Sequence, residues 1–279
     1  MAKVGILGSN LGLSISIIQK LVRSDYAIYT SKQAIRLLED TDKTLLEYCL
    51  NPPKAIDDDI DYLFQIGDIS TELMPSRVGR TIVISNYDIR GTNDAECNIL
   101  IKDMIPSDAT DEMGSPGLIR LLSDEQIPAP DAENWWVGEV DVVEAICSLV
   151  KNPGVIDGAS EIMISGRRSW KFKDIHAEMK LLHARTLDGR SGIFNAKNLV
   201  NPTPNSIVLE ELQTGVIKVE SLPNLTDVSV KQVTPPVKPD LAILHNTLKK
   251  INGEGWRQTQ PIRQALMIYL ASLLESHNV

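Results

Sequence analysis

The hydrophobic positions of this chain fall into two patterns, short apolar runs and longer stretches with an apolar residue at every third or fourth position. The short runs predict strands at residues 3–7, 26–30, 61–67, 80–85 and 98–104. The helical spacing predicts helices at 14–24 and 32–50. Strands that alternate with helices indicate a parallel sheet. We expect its central strands, 3–7 and 80–85, to be buried on both faces.

The second half of the chain has more helices and fewer strands. It predicts helices at 115–126, 140–154, 169–186, 241–251 and 261–277, and strands at 161–166 and in two pieces of 205–223. We therefore predict an α/β protein with a Rossmann-like, doubly wound parallel sheet in residues 1–105. Residues 106–279 are expected to form a smaller C-terminal lobe that partly completes the sheet.

Composition narrows the classes of function. The chain has 279 residues, 43% of them hydrophobic, which is enough for a sizeable core. Its formal net charge of −9 disfavours nucleic acid and anionic membranes as partners. No apolar run is long enough to span a membrane, and the first residues lack the features of a signal peptide. Three widely spaced cysteines fit a reducing compartment, so we expect a cytoplasmic protein.

Histidine spacing does not predict a metal centre. His176 and His183 lie seven positions apart and could share one helix face. That spacing is explained more simply if both histidines are ordinary residues of the helix surface and not metal ligands. No metal site is therefore predicted.

The first strand runs into the first helix through a glycine turn. Gly8 and Gly12 lie four positions apart, and the small Ser14 stands where a third glycine would help the helix to approach the strand. Such a turn lets a pyrophosphate approach the backbone and the amides at the start of the helix. The predicted cofactor-binding residues are Gly8, Ser9, Asn10, Leu11 and Gly12. The alternative is a helix start that binds no ligand.

The end of the second strand bears on which dinucleotide would bind. A carboxylate there would bind the ribose 2′-hydroxyl of NAD, but this sequence has Thr30, Ser31 and Lys32, with Arg36 one turn later. Hydroxyls and cations suit a 2′-phosphate, so NADP is favoured over NAD, and Thr30, Ser31 and Lys32 are predicted cofactor-binding residues. Alternatively, Lys32 and Arg36 are only solvated helix residues.

Several motifs resemble one family when they are taken in order. The turn at 7–14, LGSNLGLS, resembles the TGxxxGxG turn of the short-chain dehydrogenase/reductase superfamily. Two later segments are similar to sequences of nucleotide-sugar epimerases, dehydratases and reductases. Their matching positions are Val137, Asp141, Val142, Ala145 and Ile146 in the first, and Ser165, Gly166, Arg168, Ser169 and Trp170 in the second.

The end of the chain continues this order. Gly255 and Trp256 resemble a turn that precedes the last helix in those proteins. The matches together cover most of the chain and resemble the extended branch of the superfamily, near the dTDP-4-dehydrorhamnose reductases and epimerases. The resemblance implies a Rossmann-like fold, NAD or NADP as cofactor, a nucleotide-sugar or other small-molecule ligand, and a possible homodimer.

One element of the family is missing. Its chemistry uses a Tyr and a Lys spaced as YxxxK on one helix, and no tyrosine here has a lysine four positions later. The resemblance implies that Ser85 orients a substrate oxygen and that Tyr87 is the nearest candidate acid/base. Asp88 and Lys102 are alternatives to Tyr87. Only ten residues, 88–97, lie between Tyr87 and the next predicted strand, too few for the family's long helix.

Two functions remain open. The chain could be a nucleotide-sugar-modifying enzyme whose acid/base group has moved, or a non-catalytic Rossmann scaffold with a binding or assembly role. Retention of a dinucleotide would separate them. The aromatic pair Trp135–Trp136 could contact a ligand, but adjacent residues of a strand face opposite sides, so one of the two is expected in the core.

Overall fold

The computed structural model describes most of the chain. The residues described are 2–8, 11–56, 59–67, 75–87, 95–108, 111, 113, 114, 118, 131–190 and 237–276, with only the backbone for 11, 186–190 and 274–276. The predicted helix at 115–126 and the strand pieces in 205–223 lie almost entirely outside these residues. The described helices include none that is long and apolar enough to cross a membrane.

A seven-stranded sheet forms the centre of the fold. Its strands are β1 Val4–Gly8, β2 Tyr29–Thr30, β3 Lys54–Ala55, β4 Asp59–Ile66, β5 Arg77–Asn86, β6 Cys97–Ile101 and β10 Glu161–Ile164. Their order is β10-β6-β5-β4-β1-β2-β3, and every neighbouring pair is parallel. The Rossmann-like parallel sheet is therefore confirmed.

Two small pairs of strands lie outside this sheet. β7 Met104–Ile105 pairs in parallel with β9 Val137–Gly138, and β8 Glu133–Asn134 pairs antiparallel with β11 Trp170–Lys171. The helices among the described residues are α1 Leu11–Arg23, α2 Lys32–Thr41, α3 Lys43–Tyr48, α4 Glu139–Lys151, α5 Phe172–Arg190, α6 Ala242–Asn252 and α7 Ile262–Ser276. A 3-10 turn at Pro153–Ile156 follows α4.

The larger core lies between one face of the sheet and helices α1, α2, α4 and α6. It explains the helical periodicity of the sequence, because α1 buries Leu13, Ile17, Ile18, Leu21 and Val22 against this face. A second, smaller core joins α5 and α7 around Trp136 and Ile105. The two cores together account for most of the buried apolar side chains.

The two faces of β5 differ, which corrects one prediction. Ile82 and Ile84 are fully buried in the larger core, whereas Thr81 and Ser85 on the opposite face are only partly buried. Burial on both faces is thus wrong for residues 80–85 as a whole, although Val83 is buried. The connections on either side of β5 have ten residues each, which is less than a helical crossover usually needs.

Several boundaries differ from the sequence-based expectation. The predicted strand 98–104 is interrupted at Lys102 and Asp103, and its two parts join different sheets. The predicted helix 32–50 divides at Asp42, whose φ of −144° is not helical. The predicted helix 169–186 begins at Phe172, because Trp170 and Lys171 pair with β8 instead.

Candidate functional site

The carboxyl ends of parallel strands meet at one edge of the sheet, and ligands of open α/β sheets bind there. In this chain β1 ends at Gly8, β5 at Asn86 and β6 at Ile101. β1 lies between β4 and β2, and the chain crosses from β3 back to β4 on the other side of β1. This reversal of strand order puts the glycine turn at the point where a doubly wound sheet forms its crevice.

The glycine turn itself is short. β1 ends at Gly8 and α1 begins at Leu11, so Gly12 lies within the first turn of the helix. Ser9, Asn10 and the side chain of Leu11 lie outside the described residues. Ser14 is buried, as expected for a small residue where the helix approaches the strand.

The three predicted cofactor contacts at the end of β2, Thr30, Ser31 and Lys32, have different surroundings. The Thr30 hydroxyl is buried and donates a 2.8 Å hydrogen bond to the carbonyl of Ile6, so it joins β2 to β1. Ser31 caps α2, since its hydroxyl oxygen accepts from the amide of Ala34 at 3.1 Å. Lys32 in the first turn of α2 is exposed. Solvent access therefore favours Lys32 over Thr30 as a ligand contact.

The end of β5 holds the two predicted catalytic residues. Ser85 lies on the partly exposed face of the strand, beside Leu100 of β6. Asn86 turns to the other side, where its amide donates to the carbonyls of Met113 and Gly114 at 3.1 and 3.0 Å. The backbone amide of Tyr87 donates to the carbonyl of Ile101, which extends the pairing of β5 with β6 by one residue. Asp88 lies outside the described residues.

Lys102 and Tyr87 come together at this edge from neighbouring strands. The Lys102 ammonium lies 5.0 Å from the centre of the Tyr87 ring and 5.5 Å from the Trp135 ring. Both distances are within the range of cation–π contacts. The ammonium also donates to the carbonyl of Val237 at 3.0 Å. Sequence spacing proposed Lys102 as an alternative but could not show this contact.

Asp103 and Trp135 support this cluster. Asp103 has a φ of +55°, which is uncommon for a residue other than glycine. Its carboxylate accepts from the Trp135 amide at 2.7 Å, and its carbonyl accepts from the amide of Val137 at 3.1 Å. Trp136 is completely buried in the smaller core, so one member of the tryptophan pair is a core residue, as predicted.

The described residues give less support to a reactive thiol or a metal site. Burial raises the pKa of the Cys97 thiol to about 11 and that of Cys147 to about 12, so neither is a reactive thiolate at neutral pH. The described residues contain no group of three His, Cys, Asp or Glu side chains that could hold a metal ion. A cavity of about 500 Å³ lies between α1 and α4, and none of the predicted site residues lines it.

Comparison with known proteins identifies relatives by structure alone. No protein-family model matches the chain, and no curated protein matches it in sequence. Among solved structures, the PbgP3 protein from Burkholderia pseudomallei has a TM-score of 0.54 at 11% identity, with 100% of this chain and 98% of that chain covered.

Two enzymes have similar TM-scores and sequence identities. Vestitone reductase from alfalfa has a TM-score of 0.50 at 12% identity, with 100% of both chains covered. UDP-glucose 4-epimerase from Bifidobacterium longum, solved with NAD⁺ and UDP, has a TM-score of 0.50 at 11% identity, with 99% of both chains covered. The chain therefore has the Rossmann-like fold that the resemblance to extended short-chain dehydrogenases/reductases implied.

Proposed function

We propose that this protein binds a nicotinamide dinucleotide and a nucleotide-sugar at the carboxyl edge of its sheet, and that its chemistry differs from that of the YxxxK enzymes. The observation that carries the proposal is the arrangement of this edge. The glycine turn lies at the reversal of strand order. On one side of it, Ser85 lies near the end of β5, and Tyr87 and Lys102 directly follow β5 and β6. The fold shared with an epimerase solved with NAD⁺ and UDP supports this ligand pair.

The residues around the turn fit a dinucleotide. Gly8 and Gly12 allow a pyrophosphate to approach the backbone, and the positive end of the α1 dipole favours its negative charge. Ser31 and the exposed Lys32 would lie near the adenosine ribose, with Arg36 also exposed one turn later. Because no carboxylate follows β2, we propose a preference for NADP(H) over NAD(H). When bound, the cofactor would supply redox chemistry.

The substrate would meet the end of β5. In this arrangement the Ser85 hydroxyl orients the reacting oxygen by a hydrogen bond, and the Tyr87 hydroxyl is the group able to exchange a proton with it. Both residues lie on the side of β6 where Lys102 contributes a positive charge. The Trp135 ring beside Lys102 is itself buried, with 5% of the residue exposed, so it supports the lysine rather than offering an open surface.

Calorimetry with the full chain tests the cofactor part of the proposal. NADP(H), NAD(H), UDP and UDP-sugars are titrated into the wild-type protein and into Gly12→Val. The valine side chain would occupy space that the phosphates need, so NADP(H) binding should be lost while the fold, measured by circular dichroism, persists. The proposal fails if the wild-type protein binds no dinucleotide at millimolar concentration.

A second function is favoured by one observation. Ten residues join β5 to β6, and the sequence contains no YxxxK. Both facts support the absence of the long catalytic helix that the resemblance implies. We propose as the alternative a non-catalytic scaffold that keeps the fold for binding or assembly. The two functions differ in an assay of hydride transfer, because a scaffold would bind nucleotide-sugar without converting it.

A further inference from the structure

Lys102 is a largely buried cation at the ligand-binding edge of the sheet. Only 8% of the residue is exposed. It follows the last residue of β6, and its amide donates to the carbonyl of Ile164, so it lies between the ends of β5 and β10. A lysine is rarely buried to this extent unless its charge is paired.

The charge of Lys102 has no acidic partner among the described residues. Within the described part of the chain, its ammonium donates to the neutral carbonyl of Val237 and lies against the rings of Tyr87 and Trp135. The neighbouring carboxylate of Asp103 accepts from the Trp135 amide instead. An ammonium has three donors, and the described residues accept from one of them.

Other lysines of the protein behave differently. Lys20 pairs with Glu144, Lys43 with Glu47, and Lys173 with Asp131, and all of these lysines are substantially exposed. Among the described residues, Lys102 is therefore more shielded from water than these three lysines and lacks the acidic partner that each of them has. Burial of an unpaired charge is unfavourable, and an anionic ligand at this position would remove that cost.

We propose that Lys102 is an anion-binding residue and that it binds the diphosphate group of the nucleotide-sugar, next to the rings of Tyr87 and Trp135. The identity of the ligand rests on the proposed function, whereas the need for an anion rests on the burial of Lys102. The rings hold the ammonium in place by cation–π contact and leave two N–H donors for phosphate oxygens.

Calorimetry with UDP and uridine as probes tests this inference in the full chain. Lys102→Met should weaken UDP binding by about ten- to hundredfold, the range expected for a charge-assisted hydrogen bond, and should leave uridine binding unchanged. Lys102→Arg keeps the charge and should retain most of the affinity. Lys249→Met, on the exposed side of α6, is the matched control and should bind UDP as the wild type does.

Three results would overturn the inference. In the first, Lys102→Met binds UDP as tightly as the wild type does. In the second, the wild type binds UDP and uridine equally well. In the third, Lys102→Met loses NADP(H) binding and keeps UDP binding. The last result would assign the anion to the dinucleotide. If Lys102→Met does not fold, Lys102→Arg and the decrease of wild-type UDP affinity with added salt decide the question. Failure of the proposed function is separate, since it appears as absent dinucleotide binding in the wild type.

Discussion

Asp103 has the backbone conformation that a side chain other than glycine seldom adopts, with φ at +55°. Its carboxylate is the acceptor for the buried amide of Trp135. Asp103→Ala would remove that acceptor and keep the unfavourable φ, so we expect a loss of about 1–3 kcal/mol in the free energy of unfolding. Urea denaturation followed by fluorescence measures this loss.

Asp103→Asn is the matched variant. Asparagine keeps an acceptor oxygen and tolerates positive φ better than alanine does, so its free energy of unfolding should lie between those of the wild type and Asp103→Ala. If both variants are as stable as the wild type, the bond to Trp135 does not hold this turn.

His183 is a buried histidine, and neither of its ring nitrogens has a hydrogen-bond partner among the described residues. Burial lowers its pKa from the ordinary value of 6.5. Below pH 6.5 the unfolded chain therefore takes up a proton that the folded protein does not, and the free energy of unfolding falls as the pH falls. The slope can reach about 1.4 kcal/mol per pH unit, until the folded histidine also becomes protonated.

His183→Leu should remove this slope. Denaturation midpoints between pH 5.5 and 7.5 provide the measurement, with wild type and variant compared at each pH. At pH 7.5 the variant should be at least as stable as the wild type, because leucine leaves no buried nitrogen unpaired. A slope unchanged by the substitution would mean that another group titrates.

Sequence reasoning located some site residues better than others. Ser85 and Tyr87 could be placed at a strand end because a local apolar run defines that strand. The contact of Lys102 with Trp135 could not be predicted, because it joins positions 33 apart and depends on the turn at Asp103. Likewise, the buried bond of Thr30 to Ile6 depends on the pairing of β2 with β1, which a hydroxyl in the sequence does not reveal.

At the scale of elements, Gly166 marks the closest approach between the end of β10 and the tryptophan pair. A β-carbon at Gly166 would lie 2.3 Å from the carbonyl oxygen of Trp136 and 2.8 Å from that of Trp135. Backbone must move to admit it, so Gly166→Ala should lower the free energy of unfolding by more than about 1 kcal/mol. Chemical denaturation tests this, and unchanged stability would contradict the close contact.

Gly154 provides the control for this substitution. A β-carbon there would have as its nearest neighbour a carboxylate oxygen of Asp157 at 3.8 Å, an ordinary contact. Gly154→Ala should therefore be neutral or stabilising by up to about 1 kcal/mol, because alanine restricts the unfolded chain. The difference between the two variants isolates the steric effect at Gly166.

The element boundaries that the sequence missed have local causes. The run at 98–104 is apolar enough for one strand, but Asp103 turns the chain and sends Met104 and Ile105 to pair with β9. The run at 32–50 keeps its helical periodicity across Asp42, where an ion pair with Arg23 accompanies the break. Periodicity records which side chains are buried, and it does not record where the backbone turns.

At the scale of the whole molecule, the parallel sheet could be predicted from the alternation of strands and helices. The difference in burial between the two faces of the sheet could not be predicted in this way. The face that packs on α1 and α4 is mostly apolar, whereas Gln65, Thr81, Ser85 and Asn98 are partly exposed positions of the sheet. A parallel pattern of apolar runs does not show which side chains of each strand will be covered.

The short connection between β5 and β6 leads to the last prediction, that short-chain dehydrogenase chemistry is absent or very slow. General acid–base catalysis contributes about 10²–10⁴-fold, and no YxxxK pair supplies it here. An enzyme of median kcat, about 10 per second, would be reduced by its loss to about 0.1 per second or less. Single-turnover hydride transfer with NADP(H) and 4-keto and 4-hydroxy nucleotide-sugars measures the rate.

Tyr87→Phe separates the outcomes of that assay, because it removes the hydroxyl and keeps the ring that contacts Lys102. Slow transfer in the wild type that the substitution leaves unchanged is the expected result, and it favours the scaffold. Fast transfer that the substitution abolishes would contradict the prediction and make Tyr87 the displaced acid/base group. Fast transfer in both proteins would place that group elsewhere at the carboxyl edge. In each case UDP binding should survive, because the proposed anion contact depends on the ammonium of Lys102 and not on the phenol.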